Sequence, residues 1–255
     1  IKRPELFKDF RKLLERKDID AVIIGTPDHW HCLIMVLACE AGKHVYVEKP
    51  MANSIEETLI MEKAAKRYNT VVTVGQWQRS GKHWHDAVNY VKSGEIGKVS
   101  RVKAWAYTSK ASLPIVPDGP VPDGVDYEMW LGPAPNRPFN QNRFHYNFRY
   151  FWDYAGGLMA DWGVHMLDFA LFGMDAKFPK TITALGGSYS YHDARQTPDT
   201  MNVLYEFDDF SISWEHSVCL GNGSYGMGHG VVFQGNNGAV LVSRGGWQVI
   251  PEKEM

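Results

Sequence analysis

The chain has 255 residues, 44% of them apolar, enough to bury one large core or two modest ones. Its formal net charge of −2 gives no basic face of the kind nucleic-acid binders carry. The longest apolar stretches, 19–25 and 32–39, are too short to span a bilayer, and three cysteines (Cys32, Cys39, Cys219) make no disulfide framework.

Residues 1–16 read as a helix feeding the first visible strand. Residues 20–25 (DAVIIG) form a continuous apolar run, as a strand covered on both faces should. Asp28 is placed to N-cap the next helix, 29–41, which Gly42 closes. Cys32 and Cys39 fall on this helix and read as buried thiols. Residues 44–47 (HVYV) make a second strand that stops at Glu48-Lys49-Pro50. Ser54 and Glu57 form a capping box for a helix reaching about Tyr68. Residues 70–75 are again a bare strand, and 82–93 a helix stopped by Gly94. Strands alternating with helices of about a dozen residues mean a parallel, doubly wound sheet, so the fold class is α/β.

No G-x-G-x-x-G precedes a helix. Gly221-Asn-Gly223 and Gly226-Met-Gly228 lie far downstream in a different context. Because the pattern opens midway, the chain is expected to lack the first βαβ unit of its sheet and to be incomplete at its C-terminal end.

A second domain starts near Gly97. Residues 99–107 alternate as a half-buried strand. Residues 108–150 are rich in Pro, Gly, Asn and aromatics, and the aromatics argue for order. After Gly156-Gly157 comes a helix over 158–172. Strands follow at 181–190, 201–207, 211–218, 230–234 and 239–242, with turns at Asp208-Asp209 and Asn236-Asn237-Gly238.

Two places carry chemistry. Lys49 sits where a buried strand stops, and ligands of open α/β sheets bind outside the carboxyl ends of strands. Pro50 fixes the turn after it. A lone Glu-Lys-Pro reads first as a surface lysine after an edge strand; the flanking βα pattern reverses that reading. Asp161 and His165, four apart, project from one face of a regular helix. A carboxylate beside an imidazole fixes its tautomer and raises its basicity. Taken alone, that pair reads as a surface pair; beside the lysine motif and Trp162 it reads as acid/base machinery. Asp168, one turn on, reads as a structural partner. Among ten histidines, His29/His31 and His83/His85 are two apart and fit no common zinc spacing, so no metal is expected.

Four ordered motifs carry a resemblance over nearly the whole chain: Thr26-Pro-Asp-His-Trp-His31, Ala41-Gly-Lys-His-Val-Tyr-Val-Glu-Lys-Pro50, Gly94-Glu-Ile-Gly-Lys98, and Gly156-Gly157 with Asp161-x-x-x-His165. Together they resemble the glucose–fructose oxidoreductase/inositol dehydrogenase (Gfo/Idh/MocA) family. The resemblance implies a Rossmann-type domain over 1–96, here partial. Over 97–255 it implies an α/β domain with a large, open, mostly antiparallel sheet that binds substrate and makes oligomer contacts. It also implies hydride transfer between NAD or NADP and a secondary hydroxyl of a sugar, cyclitol or glycoside. Lys49 then touches nicotinamide and substrate, Asp161 and His165 are the acid/base pair, and Thr26, Pro27, His31, Glu48 and Gln76 lie on the cofactor side. Lys49 and His165 are expected to converge on one hydroxyl across an interdomain cleft. Sugars present apolar faces and hydroxyl edges, so Arg143, His145, Tyr146 and Trp162 are the candidate substrate-pocket residues.

The expected partners are a small carbohydrate and further copies of the chain (dimer or tetramer), without nucleic acid or membrane. The compartment stays open between cytoplasm and periplasm. Two alternatives stand beside the dehydrogenase: a glycosidase or lyase working through transient oxidation at bound NAD, and a non-catalytic sugar-binding or dimerisation module.

Overall fold

The computed structural model describes residues 3–252. The outermost residues of the expected first helix and of the expected second domain therefore lie outside the described range. The chain divides into two compact units. One comprises Ile1–Gly75, Pro120–Phe139 and Asp153–Ala155; the other comprises Gln76–Gly119, Asn140–Trp152 and Gly156–Met255.

The first unit is built on three parallel strands, β1 (Ala21–Ile24), β2 (His44–Val47) and β3 (Val72–Val74), in that spatial order. Their β-branched residues suit a pleated, packed surface. Helix α2 (Asp28–Glu40) buries Trp30, Ile34, Met35, Ala38 and Cys39 in a core with Val45, Val47 and Met61. Helix α3 (Ile55–Tyr68) starts at Ser54, whose Oγ accepts from Glu57 N at 3.2 Å. The Glu57 carboxylate returns to Asn53 N at 2.9 Å, so the box closes one residue before the cap. Lys43 is buried between α2 and β2, its Nζ donating to the carbonyls of Arg16 (2.6 Å) and Ile19 (2.8 Å).

Two local expectations are corrected. The helix expected over 1–16 is only α1 (Phe10–Leu14). Asp9 adopts an extended backbone and accepts from Arg11 N, which fixes the start at Phe10. Asp28 is not the N-cap of α2. Pro27 holds that position (φ −59°, ψ 154°), and Asp28 is the first helical residue, where the positive end of the helix dipole favours a carboxylate.

The second unit carries a seven-stranded sheet. Its strands are β4 (Val99–Tyr107), β5 (Thr181–Gly187), β6 (Thr200–Glu206), β7 (Ser211–Ser217), β8 (His229–Gly235), β9 (Gly238–Ser243) and β10 (Gly246–Pro251), in the order β10-β9-β8-β4-β7-β6-β5. Only β4 and β7 pair in parallel; every other pairing is antiparallel. β10 goes beyond the strands read from the sequence.

Helix α4 (Lys82–Lys92) buries Trp84, Ala87, Val88 and Val91, and helix α6 (Val164–Met174) buries Met166, Phe169, Ala170 and Gly173. Both sets follow the spacing i, i+3, i+4, i+7 that makes one apolar stripe. The stripes share a core with Ala104, Trp214, Val231 and Phe233 of the sheet. At Gly173 an added Cβ would stand 2.4 Å from the Phe233 ring, so the close approach of α6 to β8 requires glycine.

The long connection from 108 to 150 is ordered. It includes helix α5 (Tyr127–Leu131) and two short 3-10 turns, Gln141–Arg143 and His145–Tyr150. In the second unit it is clamped by the buried pair Arg195–Asp193, whose carboxylate also accepts from Leu113 N at 2.7 Å.

His216, on β7, is almost fully buried. Trp214 Nε1 donates to its Nδ1 at 3.2 Å, and its Nε2 lies 3.3 Å from the carbonyl of Pro198, which fits the neutral tautomer protonated on Nε2. Burial pushes its pKa down to about 4. The unfolded chain takes up a proton below about pH 6.5 while the folded chain refuses it, so stability falls as pH drops from about 6.5 to 4. At 1.36 kcal/mol per unit this is ~3 kcal/mol. His29, His31 and His229, held low chiefly by burial, add the same sign. Denaturant midpoints are expected to fall between pH 7 and 4.5, and His216→Gln to flatten that dependence.

Candidate active site

In the first unit, the carboxyl ends of the three parallel strands gather one set of predicted residues. The ladder runs on past β1 and β2: Glu48 N donates to Ile24 O (2.8 Å) and Gly75 N to Val47 O (2.7 Å). The packing at Gly75 is tight: an added Cβ would stand 2.8 Å from Oε2 of Glu48 and 3.2 Å from its Cα. Thr26 is exposed, Pro27, Glu48 and Lys49 are half-buried, and Pro50 is buried after a cis bond.

His31 is buried beneath these turns. Its Nδ1 lies 2.7 Å from Pro50 O and its Nε2 2.9 Å from Thr26 O. Burial holds its pKa below the usual imidazole range, so at neutral pH the ring has one N–H and donates to one of the two carbonyls. It links the turn after β1 to the turn after β2. Hydroxyl, carboxylate and ammonium at the carboxyl end of a parallel sheet suit the ribose and nicotinamide of a dinucleotide.

In the second unit, Gln76 holds the N-cap position of the 3-10 turn Trp77–Ser80. Gln78 is buried and its Nε2 donates to the carbonyl of His165 at 3.4 Å. Trp77 meets the His165 ring edge-on, with centroids 6.3 Å apart. His165 is buried in the first turn of α6.

The regular helix expected over 158–172 is corrected. Met159–Gly163 winds as a π-helix before α6 begins. A π turn admits an extra residue, displaces the side chains it carries from the α-helical positions, and is frequent at functional sites. Asp161 lies in this turn and forms an ion pair with Arg149 Nε at 3.4 Å.

The remaining predicted residues are spread more widely. Trp162 packs against His229 (4.7 Å between centroids) and beneath Arg244 (4.4 Å). Arg143 is paired with Asp118 at 2.8 Å, which fastens the connection to itself. His145 is exposed at φ 49°, and Tyr146 is exposed beside Lys110 and Arg149. Asp168 takes a bidentate bond from Arg79, both distances 2.8 Å. Cys32 and Cys39 are buried free thiols. Among the described residues no group of three His, Cys, Asp or Glu could hold a metal ion, and no helix is long and apolar enough to cross a membrane.

Trp77, Gln78, Arg149 and Arg244 escaped the sequence reading. Trp77 and Gln78 directly follow Gln76, so the strand end was a usable signal. The Gly245-Gly246 pair before an alternating run signals a hairpin, and it would have placed Arg244 in a turn.

Residues 3–76 match the family profile described as "Oxidoreductase family, NAD-binding Rossmann fold", and residues 95–212 match "Oxidoreductase family, C-terminal alpha/beta domain". A scyllo-inositol 2-dehydrogenase (NAD(+)) of Bacillus subtilis is 37% identical over 91 residues, 36% of this chain and 27% of that protein. A glycosyl hydrolase family 109 protein of Shewanella baltica is 36% identical over 90 residues, 35% of this chain and 20% of that protein. The WlbA dehydrogenase of Chromobacterium violaceum, solved with NADH and UDP-GlcNAcA, superposes with a TM-score of 0.71 at 19% identity, covering 98% of this chain and 64% of that one. The matched stretches span about a quarter of each of these two curated relatives.

Proposed function

The chain belongs to the Gfo/Idh/MocA oxidoreductase family, and from that premise we propose that it transfers a hydride between a nicotinamide cofactor, NAD or NADP, and a secondary hydroxyl of a sugar, cyclitol or glycoside. The observation that carries this reading is Lys49 at the carboxyl end of β2, within the stretch that matches the NAD-binding profile.

Thr26, Pro27, His31, Glu48, Lys49 and Gln76 are proposed to hold the ribose and nicotinamide end of the cofactor. When bound, the cofactor supplies the hydride acceptor. His165 takes the proton of the substrate hydroxyl, and Lys49 donates to the same oxygen and stabilises the negative charge that develops there. Asp161, held by Arg149, is proposed as the carboxylate partner of His165 in the acid/base pair. Burial of His165 limits competition from water for that proton. Trp162, Arg143, His145 and Tyr146 are the proposed substrate-pocket residues.

A second reading, favoured by the similarity to a glycosyl hydrolase family 109 protein, uses the same residues for transient oxidation, elimination and re-reduction. Absorbance of reduced nicotinamide separates the two on a panel of sugars, cyclitols and glycosides. The dehydrogenase accumulates reduced cofactor in step with substrate; the transient-oxidation enzyme releases product with no net reduction. Neither signal on any substrate contradicts both.

A further inference from the structure

Arg244 lies in the two-residue turn between β9 and β10 and is half-buried. Its Nε donates to Oε1 of Gln78 at 3.2 Å, and its guanidinium carbon stands 4.9 Å from the Trp77 ring centroid and 4.4 Å from that of Trp162. These contacts hold the guanidinium while using one of its five N–H groups. Two indole rings lie within cation–π distance of it, which leaves its remaining N–H groups to engage a partner.

Among the described residues none accepts a hydrogen bond from its Nη atoms. Arg149 and Arg244 both act on the Asp161 carboxylate, the first as an ion pair and the second at longer range. His229, its ring tilted against Trp162 at 4.7 Å between centroids, is kept below its usual pKa by burial and then by Arg244, so it adds no charge at neutral pH. Gln78 bonds Arg244 with one end and the His165 carbonyl with the other, which ties the guanidinium to the helix of the proposed base.

We propose that Arg244 is a specificity-determining residue that receives an oxyanion carried by the substrate, a carboxylate or a phosphate, so that the substrate is an acidic sugar or cyclitol. This deepens the reading of the site as a carbohydrate oxidoreductase and rests on it. A planar guanidinium edge matches an oxyanion in two parallel hydrogen bonds, and a half-buried cation gains most from a charged partner.

The test is calorimetric binding of D-gluconate, D-glucuronate, D-glucose 6-phosphate and D-glucose to the full chain, wild type and Arg244→Gln, with nicotinamide turnover on the same four compounds. At least one anion is expected to bind roughly ten- to a hundredfold more tightly than glucose, the scale of a charge-assisted bond. Arg244→Gln is expected to erase that preference and to raise KM for the anion while leaving glucose binding unchanged. Gluconate or glucuronate against glucose 6-phosphate identifies the oxyanion. Should the glutamine variant lose its cooperative melt, Arg244→Lys replaces it, keeping the charge and losing part of the preference.

Glucose binding as tightly as every anion, or an anion preference that survives in a folded Arg244→Gln, overturns the proposal. Arg244-dependent anion binding without turnover on any compound sinks the hydride-transfer reading and leaves the anion site standing. Turnover confined to glucose does the reverse.

Discussion

Lys49→Met is expected to lower kcat/KM by roughly 10²-fold or more, the scale of removing one preorganised donor from a developing oxyanion. Lys49 is half-buried just past β2, outside the core formed by Val45, Val47 and Met61, so the melting temperature should hardly move. Loss of rate without loss of stability distinguishes a donor to the reacting oxygen from a lysine that merely supports the turn. Near-normal turnover in Lys49→Met would remove the residue from the mechanism, and with it the strongest motif behind the functional reading.

His165→Ala is expected to abolish the lower-pH limb of the oxidation profile, because in the wild type that limb records the loss of an imidazole able to accept the hydroxyl proton. Asp161→Asn should keep the fold and cost less than removal of His165, since the asparagine leaves the base in place while releasing Arg149. The readout is kcat/KM against pH for the wild type and both variants. A histidine variant with an unchanged profile would move the proton acceptor elsewhere. An Asp161→Asn variant as impaired as His165→Ala would make the pair act as one unit.

Much of the first unit is written locally, and so it could be read. β-branched runs at 21–24 and 44–47, the Ser54 cap and glycine at 42 each decide their own element without help from distant residues. The second unit was legible where alternation and turns were local, as at Asn236-Asn237-Gly238. What escaped depends on pieces far apart in sequence. The bond joining Gln78 to Arg244 spans 166 positions, and Arg149 reaches Asp161 from the irregular connection.

The π turn was illegible for a different reason. An Asp-x-x-x-His spacing in sequence carries no sign that Met159–Gly163 will admit an extra residue per turn. The start of α1 is set by Asp9, whose cap fixes the boundary at Phe10 in the structure.

The central claim is that this chain moves a hydride from a substrate carbon to nicotinamide. The most direct measurement uses the full chain, oxidised nicotinamide cofactor and a substrate from the panel deuterated at the reacting carbinol carbon, with the cofactor analysed by mass spectrometry. The account predicts that the reduced cofactor carries the deuterium, and that Lys49→Met and His165→Ala suppress its appearance. Cofactor that stays oxidised and unlabelled with every substrate, or reduced cofactor without deuterium, would contradict it.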